Sequence, residues 1–539
     1  MAKKDKKSLG QSLLEKGIIN AEQLKQAEIE AKANAKPLRQ VLVSKGVISE
    51  TDLAVFLSQQ LNIPHVELKN YLIDPKIIEL VPEDLARKYI LIPVLKIGKS
   101  LTVAMADPMN VFALDELRLK TGMEIDPAIA TETEVKKALE EHYRARGTME
   151  EVISSLEVEA LKIKPGQEKD LKKLQGIVEE PPVIKMVNLM IIEAVRQGAS
   201  DIHIEPEEET LRTRYRIDGV LHERISPPKF LQSAIVSRIK ILSDMDIAEH
   251  RVPQDGRFQI KMEGRQIDIR VSCVPTIYGE NVVLRLLDRS SIILKLEQLG
   301  FLPDTLKKYE ELIKRPHGII LVTGPTGSGK TTTLYASLNI INSEEKNIVT
   351  IEDPIEYHLP GVRQMQVNHK VGLEFSTGLR SILRQDPDVI MVGEIRDIET
   401  AEIAVQAALT GHLVFSTLHT NDAPTAITRL IDMGVEPFLI ASSVIGVLAQ
   451  RLVRMLCKDC KGKGCDSCVN TGYKGRKGIF ELMLAGEEIR KLTNSKTSTD
   501  DIRKAAIKAG MHTLRQDGDE KVKQGITTQE EVMRVTEEA

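Results

Sequence analysis

Residues 324–331 read Gly324-Pro325-Thr326-Gly327-Ser328-Gly329-Lys330-Thr331, a concentration of residue types suited to holding a polyphosphate. Glycines let backbone N–H groups converge on phosphate oxygens, and a helix starting there adds the positive end of its dipole. Lys330 brings a point charge to the β- and γ-phosphates, Thr331 a hydroxyl for Mg²⁺, and Thr332 carries the chain into the helix. The implied chemistry is displacement at a nucleotide's terminal phosphate, with ATP and Mg²⁺ as ligands.

Two downstream segments end apolar runs in acids. Asn347-Ile348-Val349-Thr350-Ile351 leads into Glu352-Asp353-Pro354-Ile355-Glu356, and Val389-Ile390-Met391-Val392 into Gly393-Glu394-Ile395-Arg396-Asp397. Ligands of parallel sheets bind beyond the carboxyl ends of the strands, so such acids belong at the phosphate site. Glu394 is placed to hold Mg²⁺ through water or to polarise the attacking water. An acid in such a place also serves as a helix cap, so each has a structural alternative. His412 and His419 bracket a third apolar run, Leu413–Leu418. Seven residues apart on a strand they face opposite ways, which argues against a shared metal. One of them could instead sense the γ-phosphate, and a hydrogen-bonded structural role is the alternative for either.

Cys457-x-x-Cys460 and Cys465-x-x-Cys468 supply four thiolates, a natural tetrahedral Zn²⁺ set. Four cysteines leave no open coordination position, so the expected role is structural. Free thiols or redox pairing are the alternatives. Cys273 stands apart in a strand pattern and reads as a small packed hydrophobe. Cysteines used this way suit a reducing compartment, and the cytoplasm is the expected location.

These groups need a scaffold. Gly318–Thr323 is apolar enough for a buried strand, and beyond Ser290 apolar strands alternate with helices, the pattern of a mostly parallel sheet. The chain after Gly478 reads as largely helical. Upstream, Asp201–Glu205, Leu211–Ile217, Arg257–Met262, Gln266–Cys273 and Asn281–Leu287 read as strands, with Glu263-Gly264 turning between two of them. The segment Arg144–Glu180 reads as a charged linker. Residues 71–143 alternate between helix and strand. At the start, Leu9-Gly10-Gln11-Ser12-Leu13-Leu14-Glu15-Lys16-Gly17-Ile18-Ile19 repeats as Leu38-Arg39-Gln40-Val41-Leu42-Val43-Ser44-Lys45-Gly46-Val47-Ile48. Each glycine caps a helix, and Asn20 and Ser49 open the next.

At 539 residues the chain accommodates several domains. The expected division is an N-terminal helical and α+β domain at 1–145, a linker at 146–180, an α+β domain at 181–290, and an α/β nucleotide domain at 291–539. A formal net charge of −4 and only 3% aromatic residues argue against a nucleic-acid motor. No stretch reads as a signal peptide or membrane span, so attachment to a membrane is expected only through partners.

Taken in order, the glycine-rich loop, Thr350-Ile351-Glu352-Asp353-Pro354-Ile355-Glu356, Val392-Gly393-Glu394-Ile395-Arg396-Asp397, and Thr410-Gly411-His412 through His419-Thr420-Asn421-Asp422-Ala423 resemble the Walker A, Asp, Walker B and His boxes of secretion ATPases. The resemblance extends upstream to Gly198-Ala199-Ser200-Asp201-Ile202-His203-Ile204-Glu205-Pro206 and Arg251-Val252-Pro253-Gln254-Asp255-Gly256-Arg257. It implies a RecA-like ATPase core behind a PAS-like domain, hexamers with nucleotide between subunits, and a partner platform protein in the inner membrane. The long N-terminal region and the cysteine cluster point to the pilus-assembly and type II secretion branches, the repeat favouring the pilus branch. By the same resemblance Glu356 would help position water, and Arg257 and Arg270 would reach a neighbour's γ-phosphate. Arg212, Arg214 and Arg216 share a strand face and are further candidates. The tandem repeat is similar to a domain that binds cyclic di-GMP in some members. There a basic residue opens each unit, whereas this chain has Ser8-Leu9-Gly10 and Pro37-Leu38-Arg39. Lys7 and Arg39 could partly substitute, and a helical docking module is the favoured reading.

Overall fold

The computed structural model describes residues 9–33, 38–143, 181–288 and 294–536. The expected linker at 146–180 lies outside the described residues. The chain divides into two compact units, one through Ser290 and one from Ser291.

The first unit opens with the repeated helical pair. Gly17 and Gly46 take positive φ (71° and 66°), where a side chain would be strained. Ile18 and Val47 then donate back to the carbonyls of Leu13 and Leu42, both at 3.0 Å. Asn20 and Gln23 exchange side-chain-to-backbone bonds at 2.8 and 2.9 Å, and the Ser49 side chain accepts from the Asp52 N–H at 3.0 Å. The following α/β layer has strands β1 (Leu91–Ile97), β2 (Ser100–Met105) and β3 (Glu124–Ile129); β2 runs antiparallel to β1 and parallel to β3.

Six further strands form one antiparallel sheet: β4 (Ala199–Pro206), β5 (Leu211–Ile217), β6 (Val220–Glu223), β7 (Gln254–Met262), β8 (Arg265–Thr276) and β9 (Gly279–Asp288), in the order β6-β5-β4-β9-β8-β7. The helix Pro181–Arg196 buries Val183, Met186, Val187, Met190 and Ile191 against one face. Each such side chain contributes roughly 1.5–3 kcal/mol of burial. The other face stays polar, as period-two alternation requires. The two layers join where the Leu72 N–H donates to Lys261 O at 2.9 Å and Arg196 pairs with the buried Asp74.

The second unit is built on seven strands: β10 (Gly318–Thr323), β11 (Ile348–Glu352), β12 (Val362–Gln366), β13 (Val389–Val392), β14 (Leu413–Leu418), β15 (Val444–Leu456) and β16 (Tyr473–Leu484), ordered β12-β11-β13-β14-β10-β15-β16. All neighbours are parallel except β15 and β16. Every residue of β10, β13 and β14 is buried, as expected of strands covered on both faces. As expected, the chain after Gly478 is largely helical, with four helices among the described residues from Glu487 onward, and only its first residues complete β16, which ends at Leu484. Its paired strand β15 lends it an antiparallel ladder that composition alone did not reveal. Among the described residues no helix is long and apolar enough to cross a membrane.

Candidate functional site

Strand order decides which loops meet. Because β13, β14 and β10 are successive neighbours, the loops leaving their carboxyl ends lie side by side. The glycine-rich loop follows β10, Glu394 follows β13, and His419 follows β14.

Gly324, Gly327 and Gly329 have φ of 150°, 79° and 88°. A Cβ on Gly324 would sit 2.5 Å from Gln450 O and 2.6 Å from Ser328 Oγ. The loop therefore needs glycine for close approach as well as for backbone angle. The helix Lys330–Ile341 starts directly from it. The Lys330 ammonium donates to the carbonyls of Gly324 (2.8 Å) and Pro325 (3.0 Å). Burial lowers its pKa to about 8 despite the nearby Glu394 carboxylate, and Arg451 pushes the same way as burial. Ser328 Oγ is buried and makes no hydrogen bond among the described residues. Pro325, Thr326 and Thr331 are exposed, and Thr332 is half-buried.

Glu394 is 15% exposed; its Oε1 lies 2.5 Å from Arg396 Nη2 and its Oε2 lies 3.4 Å from His419 Nε2. The imidazole's pKa is lowered, by burial first and by Lys330 next. Lys330, Glu394 and His419 thus share one electrostatic environment. His412 does not join them. It lies before β14, at the opposite end of the strand, where its Nδ1 is 2.8 Å from Ala407 O. Of the two strand-flanking histidines, only His419 lies at the edge where phosphate would bind.

In the Asp box, Glu352 is enclosed. It accepts from the Tyr335 hydroxyl, from Thr350 Oγ1 (2.5 Å) and from Gln364 Nε2 (3.1 Å). Glu356 is half-buried beyond it, its N–H 3.4 Å from the Tyr335 oxygen. Tyr335 belongs to the helix that leaves the phosphate loop, so one side chain relates that helix to both acids. Asp397 caps the helix Ile398–Leu409 by accepting from the Thr400 N–H at 2.8 Å.

Sequence reasoning missed the layer behind the loop. The Thr323 hydroxyl donates to the carbonyls of Leu418 and Thr420, both at 3.1 Å, pinning β10 to the His-box loop. Gln450 accepts from Thr333 Oγ1 at 2.8 Å, and Arg451 donates to Asn421 O at 2.9 Å. The signal was available: an apolar run ending in Gln450-Arg451 repeats the strand-then-polar pattern that flagged Glu352 and Glu394.

In the first unit, direct cross-strand pairing aligns Arg257 with Arg270, Arg270 with Arg285, Arg285 with Asp201, and Asp201 with Arg216. This row occupies the polar sheet face. Arg285 and Arg216 share Asp201, at 2.9 and 3.6 Å. Arg214 is 2.6 Å from Glu205, and Arg212 is 3.1 Å from Glu223. Arg257 is exposed and has no ion pair among the described residues. Like charges directly opposite are unfavourable, so the row suits an incoming anion.

On the connection between β15 and β16, the sulfurs of Cys457, Cys460, Cys465 and Cys468 all lie within 4.8 Å of one another. Three of the S···S distances are 3.7–3.8 Å. Tetrahedral thiolates about 2.3 Å from a central ion would stand about 3.8 Å apart. Backbone N–H groups of Gly464, Cys465 and Gly472 point at Cys460 and Cys468 sulfurs at 3.2–3.3 Å. Burial raises the Cys468 thiol, but the N–H groups of Cys465 and Gly472, together with the neighbouring thiols of Cys465 and Cys460, bring it below the ordinary thiol value. The four residues fit a metal ion. Arg39, by contrast, has its guanidinium engaged by Ala106 O (3.1 Å) and Asp107 (3.2 Å).

Residues 177–534 match the family described as type II/IV secretion system protein, and residues 61–149 match the MshEN domain. The type IV pilus assembly ATPase PilB of Myxococcus xanthus is 43% identical over 97% of this chain and 98% of its own. The type II secretion system protein E of Xanthomonas campestris pv. campestris is 42% identical over 92% of both. Among solved structures, the ATPase DotB of Yersinia pseudotuberculosis covers 66% of this chain and 94% of its own, with a TM-score of 0.54 and 21% identity, a likeness of fold.

Proposed function

The chain belongs to the family of type II/IV secretion system ATPases, and on that premise we propose that it is a hexameric motor that hydrolyses ATP to drive type IV pilus assembly through an inner-membrane platform protein. The observation that carries the reading is the meeting of Lys330, Glu394 and His419 at the ends of three adjacent strands. Lys330 and the loop N–H groups bind the phosphates. Glu394 holds or polarises the attacking water, and Glu356 helps to position it. Thr331 and Glu394 would hold Mg²⁺, which supplies charge neutralisation of the phosphates when bound. Arg257 and Arg270 complete a neighbouring subunit's site by meeting the γ-phosphate. The tetracysteine knuckle holds Zn²⁺ as a structural ion, stiffening the turn between β15 and β16.

Resemblance to the Myxococcus pilus ATPase along nearly all of both chains supports the pilus client. A type II secretion client is the second reading, favoured by comparable likeness to the Xanthomonas protein. For the N-terminal helices we infer docking, because Arg39 is held by Asp107 and Ala106. Saturable cyclic di-GMP binding in a titration would instead make that domain a second-messenger gate.

The test is Mg²⁺-dependent ATP turnover and particle size for the wild type and Glu394→Gln. Turnover by a ring-sized particle, lost in the variant, is expected. A wild type that binds nucleotide but remains monomeric and idle, even with membranes containing the platform protein, would end the motor reading. Restoration of fibre assembly against restoration of protein export, in strains lacking either native ATPase, separates the two clients.

A further inference from the structure

Tyr335 lies in the helix Lys330–Ile341, four residues after Thr331, so the two share one helix face a turn apart. Its side chain is 1% exposed. The hydroxyl donates to the enclosed carboxylate of Glu352, the last residue of β11. The same oxygen accepts from the backbone that follows: the Glu356 N–H lies 3.4 Å away, and the Tyr357 N–H is directed at it as well. The two tyrosine rings meet edge-on, with centroids 5.7 Å apart and planes at 73°. Gln364 of β12 closes the same loop. Its Nε2 donates to Tyr357 O at 2.9 Å and to Glu352 Oε1 at 3.1 Å, and its Oε1 accepts from the Leu359 N–H at 2.9 Å.

Residues 353–361, which carry Glu356, contain neither helix nor strand. No sheet ladder fixes that acid, so its place depends on the side chains that grip the loop. A tyrosine hydroxyl is both donor and acceptor, and here the donor goes to the strand end while the acceptor takes the loop. One partner is enough to satisfy a buried hydroxyl, and Glu352 provides it. The approach of the Glu356 N–H and the ring contact at Tyr357 go beyond that need, and both fall at Glu356 or the residue next to it.

We propose that Tyr335 is a positioning residue for hydrolysis: it holds the Asp-box loop in register with the phosphate-loop helix, and so sets Glu356 against Lys330 and Thr331. The inference rests on the roles given above to Glu356 and the phosphate loop. At 1% exposure the side chain has no surface left for a nucleotide. Its hydroxyl therefore acts through Glu356, on turnover rather than on binding.

Steady-state ATP turnover, ADP affinity from a fluorescent analogue, and thermal unfolding are measured for the wild type, Tyr335→Phe, Glu356→Gln and the Tyr335→Phe/Glu356→Gln double variant. Phenylalanine keeps the ring and removes the hydroxyl alone. A small misplacement of reacting groups costs about 10- to 100-fold, and that loss in kcat is expected for Tyr335→Phe with ADP affinity near that of the wild type. In the Glu356→Gln background the same substitution should cost little more, because the group it positions is already disabled. Unchanged turnover in Tyr335→Phe overturns the proposal, and so do losses that multiply in the double variant. An ADP affinity that falls in step with kcat also overturns it, by making Tyr335 a prop for the phosphate-loop helix. Should Tyr335→Phe unfold, Tyr357→Leu, which takes the ring contact from the residue beside Glu356, is judged by the same criteria. Failure of the Glu356 reading looks different: Glu356→Gln would turn over like the wild type, and the proposal would fall with it. A wild type without turnover would be failure of the ATPase reading itself, visible before any variant is compared.

Discussion

The imidazole of His419 lies 3.4 Å from the carboxylate of Glu394, Nε2 to Oε2. Burial and Lys330 both lower the histidine's pKa, so at neutral pH it faces the carboxylate as a neutral hydrogen-bond partner rather than as a counter-ion. Removing a positioned acid–base group costs about 10²- to 10⁴-fold, and Glu394→Gln is expected to lose that much turnover while retaining nucleotide. His419→Ala should lose less. Nucleotide-binding titrations beside steady-state turnover check both, and a Glu394→Gln variant within threefold of the wild type would remove the residue from the mechanism.

Lys330 gives a pH dependence with a definite sign. Burial depresses its pKa to about 8, so the ammonium loses its proton as pH rises through that value. Phosphate favours the charged form, so binding takes up a proton. ADP affinity should be flat below pH 7.5 or so and fall above about pH 8, approaching about tenfold per pH unit. Isothermal titration from pH 6.5 to 9.5 reads the slope. A flat profile in the wild type, or the same slope in Lys330→Arg, would assign the effect elsewhere.

Arg257 separates a ring from a self-contained subunit. If it acts on a neighbour, Arg257→Ala and Lys330→Ala subunits are each inactive alone, yet mixing them creates interfaces where an intact Lys330 faces an intact Arg257. Turnover should then reappear on mixing, at a fraction of wild type. Arginine supplied this way contributes about 10³- to 10⁵-fold, so even a minority of repaired interfaces is detectable. A mixture as inactive as its parts, in particles proven to exchange subunits, would place the arginine outside the reaction.

The phosphate loop, Glu394 and the tetracysteine set were legible in the sequence because each is a short segment whose residue types dictate its geometry. The parallel sheet was legible for a similar reason, since strands covered on both faces must be apolar throughout. What escaped was set by pairing between distant strands. The β15–β16 ladder, the alignment of Arg257 with Arg270 and Arg285, and the approach of Arg451 to Asn421 all depend on register. In β15 register leaves little local trace, because its first eight residues are all buried and no alternation remains to count; in the polar-faced sheet alternation tells which arginines share a face but not which stand opposite one another. His412 and His419 illustrate the limit. Their spacing put them on opposite faces, but only the position of β14 beside β13 and β10 shows which end is the working end.

The cysteine quartet predicts one bound metal per chain. Elemental analysis of protein purified without chelator should find zinc near one equivalent, and cobalt substitution should give the intense charge-transfer bands of four thiolates. Cys460→Ser is expected to lower metal content and the thermal midpoint while leaving the distant phosphate site able to bind ADP. Rapid reaction of all four thiols with a disulfide reagent in the native protein would argue instead that the knuckle is metal-free.

Glu481 carries the last expectation. It is 4% exposed in β16, and its two oxygens accept the first N–H of two helices, Ala423 at 2.9 Å and Leu514 at 3.2 Å. Burial raises its pKa above the ordinary carboxylate value, only partly offset by those N–H groups. A raised carboxylate means its charge is a burden at neutral pH, and that burden eases as pH falls through the raised value. The residue persists because two helix N-termini need an acceptor. Glu481→Leu leaves both N–H groups buried without one, at about 1–3 kcal/mol each. Glu481→Gln retains one acceptor oxygen and should lose roughly half as much. Urea unfolding measures the stability, and turnover should fall along with it, because Ala423 opens the helix that follows the His-box loop. Equal midpoints for the wild type and Glu481→Leu would mean that both helix ends find another partner.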